Sequence, residues 1–342
     1  MIGSAPRRRV VTFVGPHQVA IEKAPLPACG EDDVRLEVSA VGLCTPEMRL
    51  WRGTRTSYPW RGGHEVAGTV VAGPDRIVGH QVAVTLAPRC GSCSLCRRGL
   101  DNHCAYSTET RDRDLGPGGL ADSLVTAIGN LEVLPAPVPG RIAALTEPLA
   151  CVLHSIGRSA LTAGDEAVVL GEGTMSSLHV FALRRAGVQT VRVFDPRRTI
   201  GPSVATIAAD EEINLDEARA GRVSVDGAFI IGVDQDTVAG ALVAVRRAGV
   251  VVTYGSPSSP GPIGVDLEAI RRSELDLRGS VSHTRRDFAA AAELVVDGVA
   301  ELAALCGASF SLAATPEALE HAVANPGRRT HVLPPLDHRP EE

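Results

Sequence analysis

The sequence lacks the features that would mark a membrane, secreted, repetitive or nucleic-acid-binding protein. It has no run of about 20 apolar residues and no small-residue cleavage site after its basic start, so we expect a cytoplasmic protein with no membrane partner. It also has no internal repeat or low-complexity tract. Subtracting 40 acidic from 34 basic side chains gives a net charge of −6, which argues against nucleic acid as a partner. These absences leave a small-molecule substrate as the expected partner.

The 342 residues are enough for two domains, at roughly 100–200 residues per domain. Up to about Ala150, short alternating segments such as DVRLEVSAVG predict a mostly β half. From Ala160 onward, compact apolar strands alternate with helical segments, and VAGALVAVRRAG is predicted as a helix between two buried strands. This pattern predicts a parallel sheet covered on both faces. The segment after His283 is too short for another domain, and we expect it to pack on the first one.

Four of the eight cysteines lie close together in CGSCSLCRRGLDNHC. Cys90, Cys93, Cys96 and Cys104 form a C-x2-C-x2-C-x7-C array, whose thiolates can surround one tetrahedral zinc ion. In a cytosolic enzyme this spacing indicates metal binding before disulfide formation. A site of four thiolates has no open position for a substrate, so we predict a structural zinc that holds a lobe from about residue 88 to residue 106.

A second set of metal-binding side chains is spread along the first half of the chain. Cys44, His64, Glu65 and Glu147 offer a thiolate, an imidazole and two carboxylates, a mixture that suits a catalytic zinc with an open position. Sequence separation does not show that they meet. Local context equally allows Cys44 as a small buried hydrophobe, His64 as a turn residue and Glu147 as the N-terminal acid of a helix opened by Pro148.

The segment GEGTMSS follows the strand AVVL and precedes a helix, which is the context that a dinucleotide-binding turn requires. Gly171 allows the tight turn, and Gly173 allows the backbone to approach a pyrophosphate at the helix N-terminus. Thr174 and Met175 lead into the helix, and Ser176 replaces the third glycine of the pattern.

Two acidic residues bear on the choice of nucleotide. Glu172 places a carboxylate within the turn itself. Asp195 ends the strand VRVFD, where it can accept hydrogen bonds from the adenosine ribose and repel a 2′-phosphate, so NAD(H) is favoured over NADP(H). The alternative is a Rossmann-like domain that kept its fold and lost its nucleotide.

The cysteine lobe, the preceding GHEVAG, the following EPLACVLHS and the GxG strand-turn-helix together resemble the zinc-containing medium-chain dehydrogenases. EPLACVLH especially resembles the polyol and sugar dehydrogenase branch, and the resemblance runs from about Val34 to Leu333. It implies an α/β protein with a GroES-like, mostly β catalytic domain at residues 1–150 and 284–342. A Rossmann domain with a doubly wound parallel sheet is implied at residues 151–283. The family resemblance also implies a homodimer or homotetramer.

The resemblance assigns roles to the second set of metal-binding residues. Cys44 follows Val-Gly-Leu, His64 and Glu65 stand in Gly-His-Glu, and Glu147 stands in Glu-Pro-Leu-Ala, which are the family's ligand positions. It therefore implies that Cys44, His64 and Glu147 bind the catalytic zinc. Glu65 is then either a ligand or a close neighbour of the ligands.

The residues after Cys44 depart from the family pattern. Relatives have a proton relay that begins at a Ser or Thr two residues after the cysteine, whereas this chain has Pro46. Thr45 is one residue early and points to the opposite side if the segment is extended. Glu47 stands where the family usually has Asp, and Arg49 where some relatives carry a relay histidine. Thr45 and Glu47 are the remaining candidates for a catalytic role.

Three functional hypotheses follow. In the first, zinc polarises a secondary hydroxyl, or its ketone, of a polyol, cyclitol or sugar-like substrate while hydride passes to or from NAD(H). The second is an enzyme of the same architecture with altered chemistry, such as conjugate reduction, epimerisation or elimination, because Pro46 removes the expected relay hydroxyl. The third is a non-catalytic binding protein that kept the structural zinc for folding.

Overall fold

A computed structural model describes residues 6–87, 89–105, 115–171, 173–194, 209–213, 217, 220, 222–256 and 261–334. The described residues divide into two compact units. The first unit comprises the described parts of Met1–Glu147, Thr284–Asn325 and Arg329–Glu342, and the second those of Pro148–His283 and Pro326–Arg328. Each unit is thus assembled from segments that are far apart in the sequence. No helix in the described part of the chain is long and apolar enough to cross a membrane.

The strands of the described part are, in chain order, β1 (Arg7–Gly15), β2 (Gln18–Pro25), β3 (Asp33–Gly42), β4 (Glu65–Ala72), β5 (Gln81–Thr85), β6 (Ser123–Ala127), β7 (Leu131–Val133), β8 (Glu166–Leu170), β9 (Thr190–Phe194), β10 (Glu211–Glu212), β11 (Val225–Ile230), β12 (Val245–Thr253), β13 (Asp276–Gly279), β14 (Cys306–Phe310) and β15 (Arg329–Val332). The α-helices are α1 (Thr45–Trp51), α2 (Ser94–Arg97), α3 (Gly140–Ala143), α4 (Thr146–Ser159), α5 (Thr174–Arg185), α6 (Gln235–Ala244), α7 (Leu267–Ser273), α8 (Arg285–Asp297), α9 (Val299–Ala303) and α10 (Thr315–Ala324).

The first unit is organised around β3, which follows the predicted alternation of DVRLEVSAVG. Val34, Leu36 and Val38 are buried on one face and pack in the core with Phe13 and Leu120. β3 pairs antiparallel with β4, β6 and β15, and β5 and β7 extend the sheet beyond β4. β1 and β2 form a separate antiparallel pair. This mostly β unit corresponds to the predicted GroES-like domain.

The second unit contains a parallel sheet in the order β10-β9-β8-β11-β12-β13. Counted from β8 as its first strand, this is the 3-2-1-4-5-6 order of the Rossmann fold. Ala167, Val168 and Val169 of β8 are all buried, as expected of a strand covered on both faces. The predicted fold class, a GroES-like domain with a Rossmann domain, is confirmed.

One predicted element has the wrong length. The helix expected over VAGALVAVRRAG ends at Ala244, and the chain continues directly as β12. Val245 lies opposite Val225 of β11, and Val250–Val252 pair with β11 and β13. Ala248 has a φ of 58°, which an α-helix does not allow, and Arg246 donates to the Asp226 carboxylate of β11 at 2.6 Å, so tertiary pairing overrides the helical pattern here.

Candidate functional site

The four lobe cysteines converge in the structure. Cys90, Cys93, Cys96 and Cys104 place their sulfur atoms within 4.8 Å of one another. Backbone N–H groups point at the sulfurs, since Ser92 and Cys93 donate to Cys90 Sγ at 3.4 and 3.2 Å. A hydrogen bond with the Ser92 side chain and these amides lower the pKa of the Cys90 thiol to about 6. The donor set and spacing fit a tetrahedral zinc held by four thiolates.

The carboxylate of Asp101, within the lobe, connects the lobe to the rest of the first unit. Arg89, whose side chain is almost fully buried, lies 3.1 Å from the Asp101 carboxylate. The same carboxylate accepts a hydrogen bond of 3.1 Å from the backbone N–H of Arg285, the first residue of α8. The lobe is therefore attached through Asp101 to a helix that begins 184 residues later in the sequence.

Strand pairing explains why Cys44, His64 and Glu65 meet. β3 ends at Gly42 opposite Glu65, the first residue of β4, so the residues just after β3 lie beside those just before β4. Cys44, His64 and Glu65 consequently place their ligand atoms within 4.8 Å of one another. A thiolate, an imidazole and a carboxylate in this arrangement suit a zinc ion that retains an open position.

The buried carboxylate of Glu47 connects two members of this trio, Cys44 and His64, through hydrogen bonds. Its Oε1 accepts hydrogen bonds from the Gly63 N–H at 2.9 Å and from His64 Nδ1 at 3.2 Å. Its Oε2 accepts one from the Cys44 N–H at 3.3 Å. The contact to Nδ1 leaves Nε2 of His64 available to a metal, the usual arrangement of a carboxylate behind a zinc-bound histidine.

The charges of the trio are strongly coupled. Burial alone would lower the pKa of His64, but the charge of Glu47 and hydrogen bonds with Cys44 and Glu47 raise it well above its ordinary value. Burial and the charge of Glu65 raise the pKa of the Cys44 thiol. A divalent cation reverses both preferences, because it stabilises a thiolate and a neutral imidazole.

Glu65 has a dedicated counter-ion that the sequence did not reveal. Its fully buried carboxylate lies 3.0 Å from the Arg329 guanidinium, which also donates to the Leu43 carbonyl at 3.1 Å. β15, which starts at Arg329, pairs with the end of β3 through His331 opposite Gly42. The ion pair neutralises a carboxylate that would otherwise be costly to bury.

Glu147 lies in the first turn of α4, and its charge helps to raise the pKa of His64. The group of ligand atoms within 4.8 Å of one another contains Cys44, His64 and Glu65 but not Glu147. Glu147 is thus near enough to influence the charge of His64, but its carboxylate is not one of the grouped ligand atoms.

The segment after Cys44 is a helix rather than an extended strand. Pro46 occupies the first turn of α1, where its missing N–H is tolerated, and Glu47 reaches back to the Cys44 N–H. Thr45 is therefore exposed at the start of α1, while Glu47 is buried. The local signals for this helix, Pro in its first turn followed by Glu, were present in the sequence.

The predicted dinucleotide turn joins β8 to α5 in the second unit. Gly171 and Gly173 have φ values of 133° and 87°, a region that favours glycine. A Cβ at Gly171 would lie 2.4 Å from the Gly232 N, so this position also needs a close backbone approach. The residues present fit a turn that presents backbone to a pyrophosphate.

The first turn of α5 is buried. Thr174 and Ser176 are buried, and the Ser176 hydroxyl has no hydrogen-bond partner among the described residues. The N–H of Thr174 donates to the Pro326 carbonyl at 3.3 Å, and Met175 accepts a hydrogen bond of 2.8 Å through its carbonyl from His179. The predictions for Glu172 and Asp195 concern positions outside the described residues.

Comparisons with known proteins agree with this arrangement. Residues 30–137 match the alcohol dehydrogenase GroES-like domain family. The chain is 29% identical over 314 residues to a 2-dehydro-3-deoxy-L-galactonate 5-dehydrogenase of Pseudoalteromonas atlantica, covering 88% of this chain and 90% of the relative. It is 25% identical over 327 residues to a sorbitol dehydrogenase of Bacillus subtilis, covering 90% and 91%.

The fold has a close structural counterpart. A zinc-binding dehydrogenase from Sinorhizobium meliloti, solved with bound NADP, superposes with a TM-score of 0.85 at 23% identity, covering 96% of this chain and all of the other. Together these similarities favour an enzyme over the non-catalytic binding protein considered from the sequence.

Proposed function

Because the chain belongs to the zinc-dependent medium-chain dehydrogenases, we propose that it transfers hydride between NAD(H) and a secondary hydroxyl, or the corresponding ketone, of a polyol, cyclitol or sugar-like substrate. The observation that carries this proposal is the trio of Cys44, His64 and Glu65, in which Glu47 accepts hydrogen bonds from Cys44 and His64 while Glu65 pairs with Arg329. Relatives named for sorbitol and for a deoxygalactonate support a polyhydroxylated substrate.

We propose Cys44, His64 and Glu147 as the ligands of the catalytic zinc, with Glu65 beside them as a further oxygen donor. When bound, zinc supplies a Lewis acid that lowers the pKa of a substrate hydroxyl, from whose carbon hydride then leaves more readily. Glu47 fixes the His64 ring through Nδ1. Glu47 is thus a positioning residue, because it acts through His64 and Cys44.

The proton released from the alcohol needs a route that does not use position 46. Pro46 has no hydroxyl, and Glu47 already accepts hydrogen bonds from Cys44, Gly63 and His64. Thr45 carries a hydroxyl at the exposed start of α1. We therefore propose Thr45 as the side chain that passes the proton to water.

NAD(H) is proposed as the preferred nucleotide, on the strength of the carboxylate that the sequence provides at Asp195. Replacing Asp195 by Gly removes an acceptor for the ribose hydroxyls and a charge that repels a 2′-phosphate. We expect Asp195→Gly to weaken NAD binding and to improve the relative affinity for NADP, as measured by calorimetric titration. Failure of the wild type to bind either nucleotide at millimolar concentration would remove the cofactor assignment.

The decisive test of the proposed function combines metal content with turnover. Elemental analysis of the purified protein should give close to two zinc per chain, and single-turnover assays with a panel of polyols and cyclitols should form NADH. One zinc per chain together with no NADH from any alcohol would contradict the proposal.

Pro46 favours a second candidate function. Without a hydroxyl at that position, the same architecture could serve conjugate reduction, epimerisation or elimination. The discriminating measurement is net turnover of nicotinamide, which alcohol oxidation requires and which an epimerisation or elimination does not.

We also propose that the protein forms a homodimer or homotetramer. β13 stands at the end of the parallel sheet in the described part of the chain, and Leu277 within it and Val281 just beyond it are exposed. An uncovered strand edge with apolar side chains is suited to pairing with a second copy. Analytical ultracentrifugation would test this, and a monomer at micromolar concentration would contradict it.

A further inference from the structure

A short segment of the chain contacts the dinucleotide turn of the second unit. Pro326–Arg328 lies between α10 and β15 and groups with the second unit, whereas the residues on either side of it belong to the first. The Pro326 carbonyl oxygen accepts hydrogen bonds from the Thr174 N–H at 3.3 Å and from the Thr174 hydroxyl at 3.5 Å. We call Pro326–Arg328 the strap, because it is bound to the first turn of α5.

The carbonyl oxygen of the strap lies where the turn is expected to receive a phosphate. Gly173 has no side chain there, and a Cβ at this position would lie 2.9 Å from the Pro326 oxygen. Thr174 is the first residue of α5, so its N–H is one of the groups that a helix leaves without an internal partner. The N-terminus of a helix carries a partial positive charge, which attracts a carbonyl oxygen as it attracts a phosphate oxygen. The features that would bind a pyrophosphate therefore bind the strap.

The hydrogen bonds of the strap are weak enough to be exchanged for others. Their lengths of 3.3 and 3.5 Å exceed the usual donor-to-acceptor distance of about 2.7–3.0 Å. A phosphate oxygen is charged and forms shorter and stronger hydrogen bonds with the same donors than a neutral carbonyl does. A pyrophosphate at this turn would consequently take the Thr174 N–H from the Pro326 carbonyl.

The residues that flank the strap are fixed, while the strap itself has room to move. Before it, the N–H and the side-chain amide of Asn325 donate to the His321 carbonyl at 2.9 and 3.0 Å. After it, the Arg329 N–H donates to the Leu305 carbonyl at 2.8 Å. The space beside the Cα of Gly327 is open, and the other two residues of the strap are exposed. Rotation about Gly327 can therefore lift the strap while both flanks stay in place.

We infer that the strap is an autoinhibitory contact, in which the Pro326 carbonyl occupies the position of a phosphate oxygen and the dinucleotide binds by displacing it from Thr174. A ligand that carries the diphosphate competes with the strap, whereas adenosine, which has no phosphate, does not. Nucleotide binding thus frees the strap instead of covering it. This inference rests on the proposed function and describes how its nucleotide is admitted.

The first test measures affinity by calorimetric titration with ADP-ribose and with adenosine. Inserting two glycines between Gly327 and Arg328 lengthens the strap and weakens its contact with Thr174. ADP-ribose should bind this variant about 2- to 10-fold more tightly than wild type, the range expected when one uncharged hydrogen bond no longer has to be broken. Adenosine should bind both proteins equally. The matched control has two glycines inserted between Ala28 and Cys29, in the exposed loop between β2 and β3, and should keep the wild-type affinities.

The second test uses the wild-type protein alone. Hydrogen exchange, measured by mass spectrometry on peptides that contain the strap, should become faster when ADP-ribose is added and should not change with adenosine. Cleavage by trypsin after Arg328, which is exposed, should also become faster with ADP-ribose. A ligand that merely covered the strap would slow both processes.

Equal affinity of wild type and the strap variant for ADP-ribose, or slower exchange in the strap when ADP-ribose is bound, would overturn the inference and leave the proposed function standing. Tighter binding by the strap variant without NADH formation from any alcohol would support the inference and contradict the proposed function. If the insertion prevents folding, the exchange result in wild type decides. If wild type binds no ADP-ribose at millimolar concentration, the strap has nothing to exclude and the inference fails.

Discussion

Replacing Glu47 by Gln should weaken both the fold and the affinity for the catalytic zinc. The carboxylate is almost fully buried and accepts from Cys44, Gly63 and His64. Gln keeps one acceptor for Gly63 and His64 but turns an NH₂ group toward the Cys44 N–H, so that two donors face each other. Hydrogen bonds to a charged group are worth about 1 kcal/mol more than neutral ones, so three of them suggest a loss of about 3 kcal/mol in the free energy of unfolding.

The effect on the metal should be measurable separately. Loss of a carboxylate behind a zinc-bound histidine typically lowers metal affinity by about 10- to 100-fold. Urea unfolding of the zinc-loaded protein gives the first quantity, and competition with a chromogenic chelator gives the second. Glu22→Gln is the matched control, because Glu22 pairs with Arg61 at 3.2 Å from a side chain that is 44% exposed. This control should cost less than about 1 kcal/mol.

The reasoning would be refuted if Glu47→Gln bound zinc as tightly as wild type and unfolded at the same urea concentration. Equal losses in the Glu47 and Glu22 variants would also refute it, because burial would then have no bearing on the contribution of the carboxylate.

Two further predictions concern the lobe and the altered relay. Cys96→Ser should release one zinc per chain and make residues near the lobe susceptible to limited proteolysis. Glu147→Ala should leave the lobe protected from proteolysis. Equal unfolding of the two variants would contradict the separate roles assigned to the two metal sites. Pro46→Ser should raise alcohol oxidation at equal zinc content, since well-placed proton transfer is typically worth ~10²–10⁴-fold, with part of the gain offset by a looser backbone at Cys44. Fast wild-type oxidation that this change leaves unaltered would indicate that another group already carries the proton.

Local patterns in the sequence predicted the parts of the molecule that are themselves local. The spacing of Cys90 to Cys104 is contained in fifteen residues, and the turn at Gly171 and Gly173 follows directly from its strand. The helix at Thr45 was missed although Pro46 lies in its first turn. Its N-terminal cap forms because the Glu47 side chain folds back to accept a hydrogen bond from the Cys44 N–H instead of pointing into solvent.

The contacts that complete the candidate site could not be predicted in this way. Arg329 is 286 residues from Leu43, whose carbonyl it binds, and no periodicity relates the two. The requirement for glycine at position 42 is also not predictable from local sequence. A Cβ there would lie 2.0 Å from the Glu65 carboxylate oxygen, and this clash arises only because β3 pairs with β4. Tertiary proximity, rather than local propensity, determines these positions.

The pairing of β15 with β3 also determines when the candidate site can be completed during synthesis of the chain. At roughly 5–20 residues per second, a ribosome that has made Leu43 needs about 15–60 s more to deliver Arg329, 286 residues later. During that interval the nascent chain already contains Cys44, His64 and Glu65, but the Glu65 carboxylate has no Arg329 guanidinium to pair with. Burial of Glu65 is therefore unfavourable until β15 has been made, and the start of β4 can become buried only after almost the whole chain has left the ribosome.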